Sequence, residues 1–186
     1  VFALAIATGV VCSRKWNAVA PSDEAVDASK STRLLLMIAT IGLSIQLVFG
    51  AMTRHLDSGH ALMSHIGFSF IVVLLIIIAG AKCIKVGKID RGVAGGAGAI
   101  RPYGATIHGL VMLQFTLGWG ALAMTRTGEE GHAALPTSTE LSTAASIRVG
   151  EAIIATSHHL IGALLLATTV AALMWALRIA SRPKNG

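Results

Sequence analysis

Four stretches of this chain, residues 34–53, 61–81, 105–125 and 152–177, run almost without charge for the length of a bilayer crossing. About 20 apolar residues in a helix cross the hydrocarbon layer. Inside that layer no water is available to bond a free N–H or C=O, so a spanning segment must satisfy its backbone internally, as a helix does. The sequence therefore predicts an all-α, polytopic membrane protein. Composition agrees. The chain is 54% hydrophobic and 13% charged, about half of the roughly 25% charge of a soluble domain.

The net charge of +6 is not a nucleic-acid signal, because the basic residues flank apolar runs instead of clustering on one face. Twelve of the fifteen lie in residues 13–33, 82–104 and 178–186. By the positive-inside rule these segments and the C-terminus are expected to face the cytoplasm, in a bacterial-type inner (plasma) membrane. Residues 54–60 and 126–151 then face outward. The second of these, with Glu129, Glu130, Pro136 and a Ser/Thr-rich run, is a candidate cap or a plain connector. The glycine-rich run 92–98 is expected to be a flexible linker. Cys12 and Cys83 fall at the reducing side, so small apolar filling is expected of them, not a disulfide. Residues 1–12 are apolar but too short to span, and are read as the end of a transmembrane helix. The expected organisation is that end (1–12), a cytoplasmic linker (13–33), a four-helix membrane bundle (34–178) and a cytoplasmic tail (179–186).

The four spanning segments form two similar hairpins. The first carries Gln46-x-x-x-Gly50 and ends in Met52-Thr53-Arg54; the third carries Gln114-x-x-x-Gly118 and ends in Met124-Thr125-Arg126. The second opens with Ser64-His65 and the fourth with Ser157-His158. Two such hairpins predict a pseudo-twofold bundle, and bundle interiors hold cofactors between facing side chains.

Histidine is costly in hydrocarbon and marks a site. His65 and His158 are repeat-equivalent and sit at similar depth, which suits the two axial nitrogens of one low-spin haem. Helix-to-helix hydrogen bonding by unrelated histidines is the alternative. His159 points about 100° away from His158 on the same helix. Gly162, one turn beyond His158, and Gly67 near His65 are expected to leave room for a flat ligand. Arg54 and Arg126 could pair with haem propionates, or simply reach to the interface. His55 and His60 stand at the mouth. His108 has no repeat partner and reads as a structural hydrogen bonder. Gln46 and Gln114 read as helix-to-helix bonds. Glu151, two turns before His158, is a weak candidate for proton transfer or a helix N-terminal charge.

The runs Gln46–His55 and His158–Thr168, with Gln114-x-x-x-Gly118, resemble the haem A synthase family. The similarity covers residues 34–178. It implies one four-helix half of an eight-helix protein, or a shortened relative that keeps a haem without the synthase chemistry, with His65 and His158 as ligands of a haem. The haem would be b-type, with haem O or haem A possible. The implied role is oxidation of haem O to haem A, or service in cytochrome oxidase assembly. Where the family's catalytic half has a glutamate and an arginine, this chain has Leu62 and Ile66. The family's outer-loop cysteine pair is absent. An electron-transferring cytochrome b-type subunit is the other expectation, with a quinone or respiratory-complex subunits as partners.

Overall fold

The computed structural model describes residues 2–56, 59–132 and 149–183, without the side chains of Phe2 and of residues 125–132. Every regular element among the described residues is helical. The helices are α1 (Phe2–Val11), α2 (Arg14–Asn17), α3 (Asp23–His55), α4 (Gly59–Ile89), α5 (Arg101–His132) and α6 (Val149–Ala180), with a 3-10 turn at Ala97–Ile100 before α5.

Helices α3, α4, α5 and α6 are each long and apolar enough to cross a membrane, so the chain is a multi-pass membrane protein. They pack in chain order around a square: α3 against α4, α4 against α5, α5 against α6, and α6 back against α3. Consequently α4 and α6 face each other across one diagonal, α3 and α5 across the other. Helix α1 lies on α6 outside the square. Leu74, Met112 and Leu160 are more than half exposed on the outer faces. Such side chains are a liability in water and the normal surface in lipid.

The core is densest toward the end where α3 begins and α4 ends. Leu36, Ile76, Ile107, Leu165, Trp175 and Ile179 are buried there. Small residues let the backbones approach closely. A Cβ on Gly104 would lie 2.5 Å from the Gly80 carbonyl oxygen, and one on Gly87 would lie 2.6 Å from Arg101 Cβ.

Three expectations about this end need correction. Helix α3 does not start at Leu34 after a linker; it starts at Asp23, and α2 occupies part of the supposed linker. The Ser22 hydroxyl caps α3 by accepting from the Ala25 N–H, with Asp23 and Glu24 in the first turn. That is a strong N-terminal signal, and hydropathy alone does not see it. Second, residues 92–98 are no flexible linker. Gly92 and Gly95 turn the chain with φ of +84° and +76°, which favours glycine, and Ala97 and Ile100 are fully buried. Third, only Cys83 is a buried filler; Cys12 is exposed.

Asp90 organises this clasp. It is 5% exposed. Its carboxylate accepts from the Ser22 hydroxyl at 2.6 Å, the Ser22 N–H at 3.1 Å and the Ala97 N–H at 3.0 Å. The Ala20 N–H donates to Gly95 O at 2.6 Å, so the segments before α3 and before α5 are tied together. Burial pushes the Asp90 carboxyl upward, but the bonds from the Ser22 hydroxyl and the Ala97 and Ser22 N–H groups outweigh it. The net result is a pKa below the usual carboxylate range.

Candidate functional site

At the opposite end, His65 on α4 and His158 on α6 meet across the diagonal of the square. Their ring centres are 6.5 Å apart, with planes inclined at 78°. Both rings are partly buried. Each is held by the glutamine of the helix before it. Gln46 Nε2 lies 3.1 Å from His65 Nδ1 and donates to the His65 carbonyl oxygen at 2.8 Å. Gln114 Nε2 lies 3.1 Å from His158 Nε2. The glutamines are thus helix-to-helix bonds as expected, but their partners are the histidines themselves.

The glycines of the two Gln-x-x-x-Gly motifs make room for the imidazoles. A Cβ on Gly50 would sit 3.2 Å from His65 Cε1, and one on Gly118 would sit 3.2 Å from His158 Cε1. The matching glycine contacts, each beside a glutamine that bonds a different ring nitrogen, bear the mark of the sequence repeat: Gln46 and Gly50 each lie 68 residues before Gln114 and Gly118 (114 − 46 = 118 − 50 = 68). The sequence reading takes Gln46 and Gln114 as helix-to-helix hydrogen bonders and does not name Gly50 or Gly118 as site residues. The four-residue spacing to each glutamine was the available signal, since it puts both on one helix face.

The other glycines differ from expectation. Gly67 is exposed and has open space where a Cβ would lie, because two residues past His65 is about 200° round the helix. It does not make room beside His65. Gly162 is buried, and its position abuts the Gln114 amide at 3.1 Å; it serves the His158 site through that glutamine.

His159 is exposed and sits 2.6 Å from its own helix's Ala155 O, so it turns away from the diagonal. His108 Nδ1 is 2.7 Å from Gly104 O, with its ring over Gly80, a local structural bond near the clasp end. His55 and His60 are exposed at the histidine end.

Arg54 is exposed in the last turn of α3. Arg126 lies on α5, its side chain outside the described residues. The two are not strictly equivalent: they are 72 residues apart (126 − 54), four more than the glutamine pair. Arg126 therefore stands one helical turn, about 6 Å, farther along its helix. Glu151 occupies the first turn of α6, about 10 Å of rise from His158, and touches neither imidazole. The expected outer cap, with Pro136, lies outside the described residues.

Two features bear on whether the diagonal pair could hold a metal ion. A metal bound to both imidazoles at about 2 Å per bond places the ring centres roughly 6 Å apart, near the separation present. Three polar atoms at the pair are buried without a partner among the described residues: Gln46 Oε1, Gln114 Oε1 and His158 Nδ1. Buried polar atoms of this kind call for a partner, such as a water, an ion or a larger ligand. Among the described residues no three His, Cys, Asp or Glu side chains converge. Two nitrogens suffice when a macrocycle supplies the remaining ligands. Compared with known protein families, curated proteins and solved structures, the chain shows no match.

Proposed function

We propose that this chain is a membrane haem-binding protein that holds one haem between His65 and His158. The observation carrying this reading is the meeting of two imidazoles from diagonally opposed helices, 6.5 Å apart, in equivalent glutamine and glycine surroundings. The chain's own residues have distinct tasks. His65 and His158 would bind the iron; Gln46 and Gln114 would fix the ring orientations with each amide turned so that its Oε1, now without a partner among the described residues, accepts the N–H that a ligating imidazole donates. Gly50 and Gly118 keep the rings clear of backbone crowding. Arg54, at the exposed end of α3, is placed to pair with a carboxylate at the mouth. Bound haem would supply one-electron redox chemistry.

Similarity of the Gln46–His55 and His158–Thr168 runs to the haem A synthase family supports a role in haem A formation or cytochrome oxidase assembly. Amides and glycines flank the two imidazoles, with the His159 ring beside His158 and no carboxylate among their hydrogen-bond partners in the described residues, and Leu62 and Ile66 stand where that family's catalytic half carries charge. That environment suits holding or passing electrons better than oxidising a substrate, and it supports the second reading, a cytochrome b-type subunit. The histidine end would face outward and the clasp end the cytoplasm, given the lysines and arginines near the clasp.

Pigment extraction from cells supplying haem O separates the two readings. Haem A formed only in the presence of this chain supports the synthase. A bound haem b that cycles between oxidation states, with no haem A formed, supports the electron carrier.

A further inference from the structure

A second site lies at the clasp end, away from the histidines. A cleft of about 690 Å³ opens between α2, the clasp and the packed helices α5 and α6. That volume falls within the range of small-molecule pockets. Its lining includes Lys15, Val93, Tyr103, Thr106, Thr168 and Trp175, and no carboxylate. Trp175 is only 3% exposed, and its Nε1 is buried without a partner among the described residues. A buried indole N–H normally finds an acceptor, and leaving it unpaired is costly. Trp16 packs against Trp175 at 5.5 Å between ring centres, which holds the indole in place at the cleft.

The cleft runs along the membrane normal. Lys15 lies in the segment between α1 and α3, outside the spanning helices, whereas Thr168 lies twelve residues before the end of α6 at Ala180, about 18 Å of helix. It therefore descends from headgroup level into hydrocarbon, with one cation at its upper end and the Trp175 side chain below it.

We infer that this cleft binds one anionic phospholipid of the adjoining leaflet, its phosphate on the Lys15 ammonium and its glycerol-ester region against the Trp175 side chain. Charge complementarity selects the headgroup, because Lys15 is the sole charged residue of the lining. An ammonium gains most from a full anionic charge near the membrane surface. The apolar lower wall accepts the first part of an acyl chain. This inference is independent of the haem reading.

The test is native mass spectrometry of the full chain released from nanodiscs containing phosphatidylglycerol and phosphatidylcholine with identical acyl chains. Wild type is expected to retain one phosphatidylglycerol in preference to phosphatidylcholine. Lys15→Gln should weaken that retention about tenfold, as loss of one charge-assisted hydrogen bond implies. Trp175→Phe should weaken retention of both lipids. Lys85→Gln, an exposed charge on α4 outside the cleft, should change nothing. Lys15 is exposed, so its variant carries the test even if Trp175→Phe disturbs the core. Equal retention of the two lipids would overturn the assignment, as would wild-type retention by Lys15→Gln or an equal loss in Lys85→Gln. Displacement of the lipid by an uncharged quinone added at equal concentration would overturn it too.

Discussion

Removing the Asp90 carboxylate should open the clasp without dismantling the bundle. Three donors converge on it, the Ser22 hydroxyl, the Ser22 N–H and the Ala97 N–H, at 2.6–3.1 Å. Hydrogen bonds to a charged group contribute about 1.5–3 kcal/mol each, and a buried donor left alone costs about 1–3 kcal/mol. The Ala97 N–H is buried, whereas the Ser22 groups are only partly so and can recover water. Asp90→Ala should therefore cost about 3–5 kcal/mol locally, and Asp90→Asn, which keeps one acceptor oxygen, about 1–2 kcal/mol. The pH dependence has a fixed sign. The folded-state pKa is depressed, so this stability is present above the unfolded carboxylate value and is lost as pH falls through the lower folded value. Asp90→Asn should lack that acid-side loss. The assay is limited trypsin cleavage after Arg91, read by mass spectrometry, with thermal unfolding in detergent alongside. Cleavage at Arg91 should accelerate in the order wild type, Asn, Ala, and wild type should approach the Asn variant only in acid. If Asp90→Ala is cut no faster than wild type, the carboxylate does not hold the clasp and the reasoning fails.

Gln46→Leu and Gln114→Leu should each destabilise by about 1–3 kcal/mol through lost imidazole bonds, and both should broaden the spectrum of bound haem; an unchanged spectrum and melting temperature would remove their orienting role. Gly50→Val and Gly118→Val each force a side chain against an imidazole already 3.2 Å from the Cβ position, so each should cost about 1–3 kcal/mol by overpacking. Thermal unfolding should show the two penalties to be similar; a large disparity would contradict the pseudo-twofold site. Gly67→Ala should leave haem retention unchanged and raise stability slightly, by about 0.5–1 kcal/mol, since its Cβ position inside α4 is open and alanine is the better helix former.

The spanning helices were legible because hydrocarbon imposes a length and a composition that few other constraints mimic. Their outer limits were not. Charges in 23–33 mark the edge of the apolar layer, but a helix continues past it wherever a cap such as Ser22 and good backbone bonding allow. The diagonal histidines were legible from their repeated Ser-His setting; the 100° step lets only one of His158 and His159 face the axis, Gly162 on the His158 face points to His158, and that ring is the one that meets His65. What the sequence concealed was tertiary. Nothing local says that Gln46 reaches His65, or that Gly50 and not Gly67 gives the ring room. A glycine's role depends on which helix comes to face it. The clasp was misread for a related reason: glycine-rich composition signals freedom in an isolated peptide, whereas Gly92 and Gly95 supply backbone angles that a folded turn around Asp90 needs.

The central claim is that His65 and His158 together hold one haem. Its most direct test is the absorption spectrum and haem-to-protein ratio of the purified chain, set beside His65→Ala, His158→Ala, the double variant and His159→Ala. The account predicts one haem per chain with a low-spin spectrum in wild type and His159→Ala. Each single ligand variant should shift toward a high-spin, weakly held form, and the double variant should lose the haem. A Soret band unchanged in the double variant, or none in wild type supplied with haem, would contradict it.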